Sequence, residues 1–249
     1  MKRLLAPLVL VTLALATGCA SQVLLSPEDR QKVEKDLSTG PTSVRYLKAS
    51  SYLTPFFGDA SKRLLTAHPP EEVRLLNDTQ GNPINPGAVQ AMLPAGTKVR
   101  VLKVEFPTAW VMAERVLYSP RTQPWVYLDV EGAPPGAPVV LVLPPMSKSR
   151  EDFLAEVDRH LLPQDPAPRI AKLQPRFQEA IKQKKVVESM PEAAVEMSWG
   201  MPERISRSLD GQQVRQEWVY PGGKRRVFLT DGLVTRVDEG TAPAAAKQP

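Results

Sequence analysis

Apolar residues recur along this chain with three different spacings, and each predicts a different element. An unbroken apolar run extends from Leu4 to Ala16 behind Lys2 and Arg3. That run is shorter than the roughly 20 residues a membrane-crossing helix needs. From Ser26 the spacing turns helical: Ser26 can cap, Pro27 suits the first turn, Asp29 stands at the capping-box position, and Gly40-Pro41 end the helix. Its stripe, Val33 and Leu37, is thin, so the helix is expected to lie loosely on the rest. Val44, Leu47 and Ser51 predict a second weak helix over 42–51. Residues 52–70, with Pro55, Gly58 and His68-Pro69-Pro70, read as irregular chain.

From Glu71 the spacing becomes that of strands. Val73-Arg74-Leu75-Leu76, Lys98 to Phe106, Ala113 to Tyr118, Pro124 to Val130 and Val139 to Leu143 are predicted strands. Turn formers at 77–83 and 93–97 separate them. Ser147 or Ser149 can cap a helix reaching Leu162, with Phe153, Leu154, Val157 and Leu161 at helical spacing. Pro163 to Pro168 reads as a linker. Beyond it, Phe177, Ala180 and Ile181 predict one helix, and Ser189 with Pro191 and Glu192 opens another that stops at Gly200. Three strands follow, at 214–220, 225–230 and 233–237, joined through Gly222-Gly223 and Asp231-Gly232.

Composition adds modular organisation. The 26 prolines among 249 residues are about twice the ordinary share and fall between the periodic stretches, as stiff connectors do. The expected division is a signal segment 1–18, a spacer 19–70, a β-rich module with its helix over 71–162, a linker 163–175, a two-layer module 176–238 and a tail 239–249. The fold class is α+β. Removing residues 1–18 takes away Lys2 and Arg3, so the formal charge falls from +5 to +3. That mild excess is not the footprint of nucleic-acid binding.

The only cysteine, Cys19, follows Leu13-Ala14-Leu15-Ala16-Thr17-Gly18. A positive start, a short apolar core and a small-residue end are the layout of a secretory signal. With the cysteine at the cut, the stretch resembles the lipobox of bacterial lipoproteins, although Ala16 stands where Leu is usual. The resemblance implies acylation of Cys19, a lipid bilayer as its partner and, because Ala20-Ser21 lack the inner-membrane retention Asp, an outer-membrane site facing the periplasm. With Cys19 used for the anchor, no disulfide is left to stabilise the fold.

Two further resemblances concern the folded part. The turn Leu93-Pro94-Ala95-Gly96-Thr97 before a long strand, with Trp125-Val126-Tyr127-Leu128 later, is similar to an SH3-type barrel. Residues 176–238 carry Ser-Met-Pro-Glu-Ala-Ala-Val from Ser189, Trp-Gly-Met-Pro-Glu from Trp199, Glu-Trp-Val-Tyr from Glu217 and Val-Phe-Leu-Thr-Asp-Gly-Leu-Val from Val227. This series resembles the SmpA/OmlA family of small outer-membrane lipoproteins, with Ser189 where that family usually has Gly. It implies two helices followed by a three-strand meander; the anchor, the missing catalytic set and the modular layout point to other envelope proteins or cell-wall material as partners.

Residues that carry chemistry are few. His68 and His160 stand far apart in sequence without ligand-like companions, which argues against a metal site, and no cofactor is implied. His68 reads as a loop residue and His160 as a favourable charge at a helix end. Ser147-Lys148-Ser149-Arg150 is a helix start rather than a nucleophile motif, and Glu151-Asp152 suit a first helical turn. The four tryptophans, Trp110, Trp125, Trp199 and Trp218, read first as core. The sharper alternative is a partner-binding face made by Trp218 and Tyr220 with Arg215, Arg225 and Arg226. The resulting expectation is a non-enzymatic, lipid-anchored envelope protein. The alternative is an anchored hydrolase of cell wall or lipid using a carboxylate pair that the sequence does not locate.

Overall fold

The computed structural model describes residues 25–145 and 147–240. Cys19, the signal segment 1–18 and most of the expected tail lie outside the described residues. The chain is α+β, with an eight-stranded sheet and a four-stranded antiparallel sheet.

The first helix, α1 (Pro27–Ser38), begins as its sequence predicts, with Ser26 Oγ accepting from the Asp29 amide at 3.1 Å. It does not lie loosely: Val33 and Leu37 are completely buried. The expected second helix is absent. A single 3-10 turn (Gly40–Ser43) leads into β1 (Val44–Leu47), and the "irregular" stretch is the hairpin β2 (Ser51–Phe56) and β3 (Asp59–Thr66). The apolar spacing 44–47–51 fits a helix, but residues 48–50 carry a bend that joins two strands. A 3-10 turn at Pro70–Glu72 follows, and the expected strand 73–76 is not formed.

Three of the expected strands form, β5 (Lys98–Glu105), which alternates as read, β6 (Trp125–Val130) and β7 (Val139–Val142), with β4 (Ala91–Leu93) before them. The expected strand 113–118 is instead helix α2 (Ala109–Glu114) and a loop. Helix α3 (Arg150–His160) has a capping box between Ser149 and Asp152, and β8 (Leu161–Leu162) closes the set. The order is β4-β2-β3-β7-β6-β5-β1-β8. Because β1 runs through 48–50 into β2, and β4 through 94–97 into β5, the pairings Val44↔Arg100 and Ser51↔Leu93 bring the order back to its start. The sheet therefore draws strands from both sides of residue 70.

β6 and β7 are buried on both faces, which explains their nearly unbroken apolar runs. Val126, Leu128 and Leu141 face one core, completed by Val33 and Leu37 of α1 and by Phe153 and Val157 of α3. Trp125, Tyr127, Val140 and Val142 face a smaller core with Phe56 and Leu64.

The expected linker holds a short helix, α4 (Ala167–Ile170). Next come α5 (Pro175–Lys182) and α6 (Glu192–Trp199). Ser189 is not the cap of α6. It takes φ +62° and donates its amide to the Val234 carbonyl, while Pro191 occupies the cap position. The meander has four strands rather than three: β9 (Arg204–Asp210), β10 (Gln213–Val219), β11 (Arg225–Thr230) and β12 (Leu233–Glu239). β9 escaped the sequence reading because it buries almost nothing; it is a strand through pairing with β10. Asp231 and Gly232, at φ +50° and +77°, make the two-residue turn into β12. Phe177, Ile181, Val195, Trp199, Trp218 and Val227 fill a third core, between these helices and the second sheet.

Candidate functional site

The two sheets meet along the segment 48–51 and the end of β3, and polar groups fasten them there. Ser50 is completely buried. Its amide donates to the Met197 carbonyl at 2.8 Å, and its hydroxyl donates to the Ile181 carbonyl at 2.6 Å while accepting the Ala95 amide at 3.0 Å. The Lys184 ammonium, also buried, donates to the carbonyls of Ser50 and Ser198. Burial in this position pushes its pKa well below the ordinary lysine value, with the positive Arg225 acting the same way. Arg225 itself makes a two-pronged ion pair with Glu72, at 2.8 and 2.6 Å, and its guanidinium stacks 4.5 Å from the Trp199 ring and 4.8 Å from the Tyr220 ring. Gly200, at φ +82°, lets the backbone of one module approach Ala67 of the other.

Beside these contacts lies a cleft of about 250 Å³. Leu47, Leu65 and Leu141 supply apolar wall, α3 supplies Glu156, Arg159 and His160, and the other module supplies Glu196 and Glu203. His68 forms part of the same wall and also borders a neighbouring cavity of about 230 Å³ that continues to Glu72 and Pro221. The two histidines, remote in sequence, thus line one cleft. His68 lies in the bend after β3, a loop position as expected, but its ring is not free. Its Nδ1 is buried without a hydrogen-bond partner, and burial, then the cations Arg225 and Lys184, depress its pKa to about 3. It is a neutral imidazole at physiological pH.

Most charged groups of the cleft are paired, Glu203 at its exposed rim being the exception. Glu156 receives Arg159 at 3.4 Å and His160 at 3.5 Å, and Lys48 stands 3.7 Å from Glu196. The hydrogen bond from His160 outweighs burial and holds the Glu156 carboxyl below its ordinary value. Among the described residues no group of three or more His, Cys, Asp or Glu could hold a metal ion.

The structure disperses the aromatic and basic face suggested by the sequence. Trp218 and Tyr220 are completely buried, with Trp218 Nε1 donating to Gln216 at 2.8 Å and the Tyr220 hydroxyl to the Gly200 carbonyl at 3.3 Å. Arg225 is consumed by Glu72. Arg215 and Arg226 remain at the surface, paired with Asp210 and Glu217. Those five residues do not form an exposed patch.

Sequence reasoning missed Glu72, Lys184 and an apolar surface on and after α2. Trp110 is 73% exposed, Leu117 63% and Tyr118 65%, against at most 2% for the other three tryptophans. The available signal was Pro107-Thr108, a helix start: Thr108 Oγ1 accepts the Val111 amide. No helix among the described residues is long and apolar enough to cross a membrane. No protein-family model, curated protein or solved structure matches the chain.

Proposed function

We propose that the chain is a lipid-anchored, non-enzymatic envelope protein that acts as a binding or scaffold unit in outer-membrane or cell-wall organisation. The observation that carries this reading is the sole cysteine, Cys19, placed directly after a signal-like apolar run. Acylation there tethers the chain to the outer membrane, facing the periplasm. The N-terminal sheet is read as an SH3-type barrel, supported by the way 44–56 pairs along 91–105. The second sheet with α5 and α6 is read as SmpA/OmlA-like, carrying β9 as an addition at its edge. Other envelope proteins or cell-wall material are the proposed partners.

The paired charges of the cleft support binding over hydrolysis. A glycosidase-type general acid needs a carboxyl whose pKa is raised, and Glu156 is held in the opposite direction. The test is metabolic labelling with an alkyne analogue of palmitate. The parent should take up label and Cys19→Ala should not. Equal labelling of both, or none in the parent, overturns the anchor.

A further inference from the structure

We propose that the loop Pro107–Tyr118 is a second membrane contact, seating Trp110, Leu117 and Tyr118 in the headgroup interface of a lipid bilayer. The proposal rests on the reading of Cys19 as a lipid anchor and adds a contact which that reading does not contain.

The loop presents Trp110, Leu117 and Tyr118 outward, together with the exposed carboxylate of Glu114, while its other polar side chains are satisfied inward. Its only charged residues are Glu114 and Arg115, and Arg115 is turned inside. The Arg115 guanidinium donates to Glu105 Oε1 at 3.0 and 2.8 Å and to the carbonyls of Arg121 and Gln123 at 2.8 and 2.7 Å. It also stacks 3.6 Å from the Trp125 ring. Ser119 Oγ donates to the Val116 carbonyl at 2.7 Å, and Thr108 caps α2. The tip is therefore held in one shape from within. A surface that keeps Trp110, Leu117 and Tyr118 in water forgoes their burial and marks a contact site.

The occupant follows from two observations. Tryptophan and tyrosine, with an apolar ring and one polar atom, favour the water–lipid boundary, and this tip offers no exposed cation for an acidic protein. The tether is also short. Six residue steps separate Cys19 from Leu25, which is buried in the core, so Leu25, where the folded body begins, stays within about 20 Å of an anchored lipid. From Leu25 the chain enters α1, which packs on β5, and the last residue of β5 is the Glu105 that holds Arg115.

The chain from Ala20 onward retains every described residue and lacks both signal and acyl group. Mixed with vesicles of equal parts phosphatidylethanolamine and phosphatidylglycerol, it should show a blue shift of tryptophan emission. Lipids brominated near the headgroup should quench that emission. Trp110 alone can give this response, because Trp125, Trp199 and Trp218 are buried. Trp110→Ser with Leu117→Ser should abolish the shift and weaken sedimentation with vesicles by about tenfold or more, at an unchanged melting temperature. Leu209→Ser, removing an exposed leucine elsewhere, should leave sedimentation as in the parent. Absence of the shift in the parent, or equal sedimentation of the double variant, overturns the proposal. So does burial of Trp110 by concentration-dependent self-association without vesicles, which would assign the tip to a second copy. Because the protein tested carries no Cys19, its result is independent of the palmitate labelling.

Discussion

Arg225 and Glu72 stand 153 positions apart and bind each other through two contacts of 2.8 and 2.6 Å, with Glu72 4% exposed. The pair ties the β11 end of the second sheet to the turn that leaves the first. Removing one partner strands a buried charge. Arg225→Met should therefore cost about 3–5 kcal/mol in urea denaturation. Glu72→Leu together with Arg225→Met should recover most of that loss, because no unpaired charge remains. If the double variant is as unstable as the sum of its singles, the pair is not coupled as described.

His68 gives the fold a pH dependence of definite sign. Its folded pKa is about 3, below the ordinary histidine value of about 6.5. Between those values the unfolded chain holds a proton that the folded chain does not. Stability is thus full above about 6.5 and is lost as pH falls toward 3, by on the order of 5 kcal/mol. His68→Phe keeps a ring near Tyr220 and removes the titration. The difference in unfolding free energy between variant and parent should grow in the variant's favour from pH 7 to pH 4. A constant difference over that range would exclude His68 as its source.

Arg115→Met should free the loop 107–118 and leave Glu105 without its main partner. Burial pushes the Glu105 carboxyl up, but Arg115 and Lys103 outweigh it and hold the group below its ordinary value. With Arg115 gone, its titration measured by carbon-detected NMR should move above that value. Stability should fall by about 3 kcal/mol, and amide exchange should quicken across 107–118. Unchanged exchange there would show that the loop is held by other contacts.

Gly200→Ala meets two obstacles. The residue sits at φ +82°, and an added Cβ would lie 2.8 Å from the Ala67 Cβ. The expected loss is about 2 kcal/mol or more, read as a lowered urea midpoint. Gly211→Ala, also at positive φ but with nothing within 4 Å, should cost less. Equal costs would mean that backbone conformation, and not the approach to Ala67, decides.

The elements most legible in the sequence are those whose local signals and burial agree. Ser26 and Ser149 cap helices where expected, and the alternation of Val99 and Val101 gives β5. The stretch 42–66 is not legible in the sequence because its strands acquire their meaning only from partners. Arg45 turns inward to meet Asp158, a residue 113 positions away, which no local pattern signals. The loop at 113–118 looked like a strand because it is apolar, but those side chains face solvent, and Arg115 among them is the buried one.

By itself the sequence determined the α+β class, helices α1, α3, α5 and α6, strands β5 to β7 and β10 to β12, the hairpin turn at Asp231-Gly232 and the cysteine on which the anchor reading depends. These follow from local chemistry: backbone conformation, capping, period and the order of small and apolar residues. Only the tertiary structure decided that residues 44–66 belong to the sheet, that His68 and His160 share a cleft, and that Trp218 and Tyr220 are interior while Trp110 is not. Burial is a property of what packs against a residue. For these positions the packing partner lies on another element, far away in sequence.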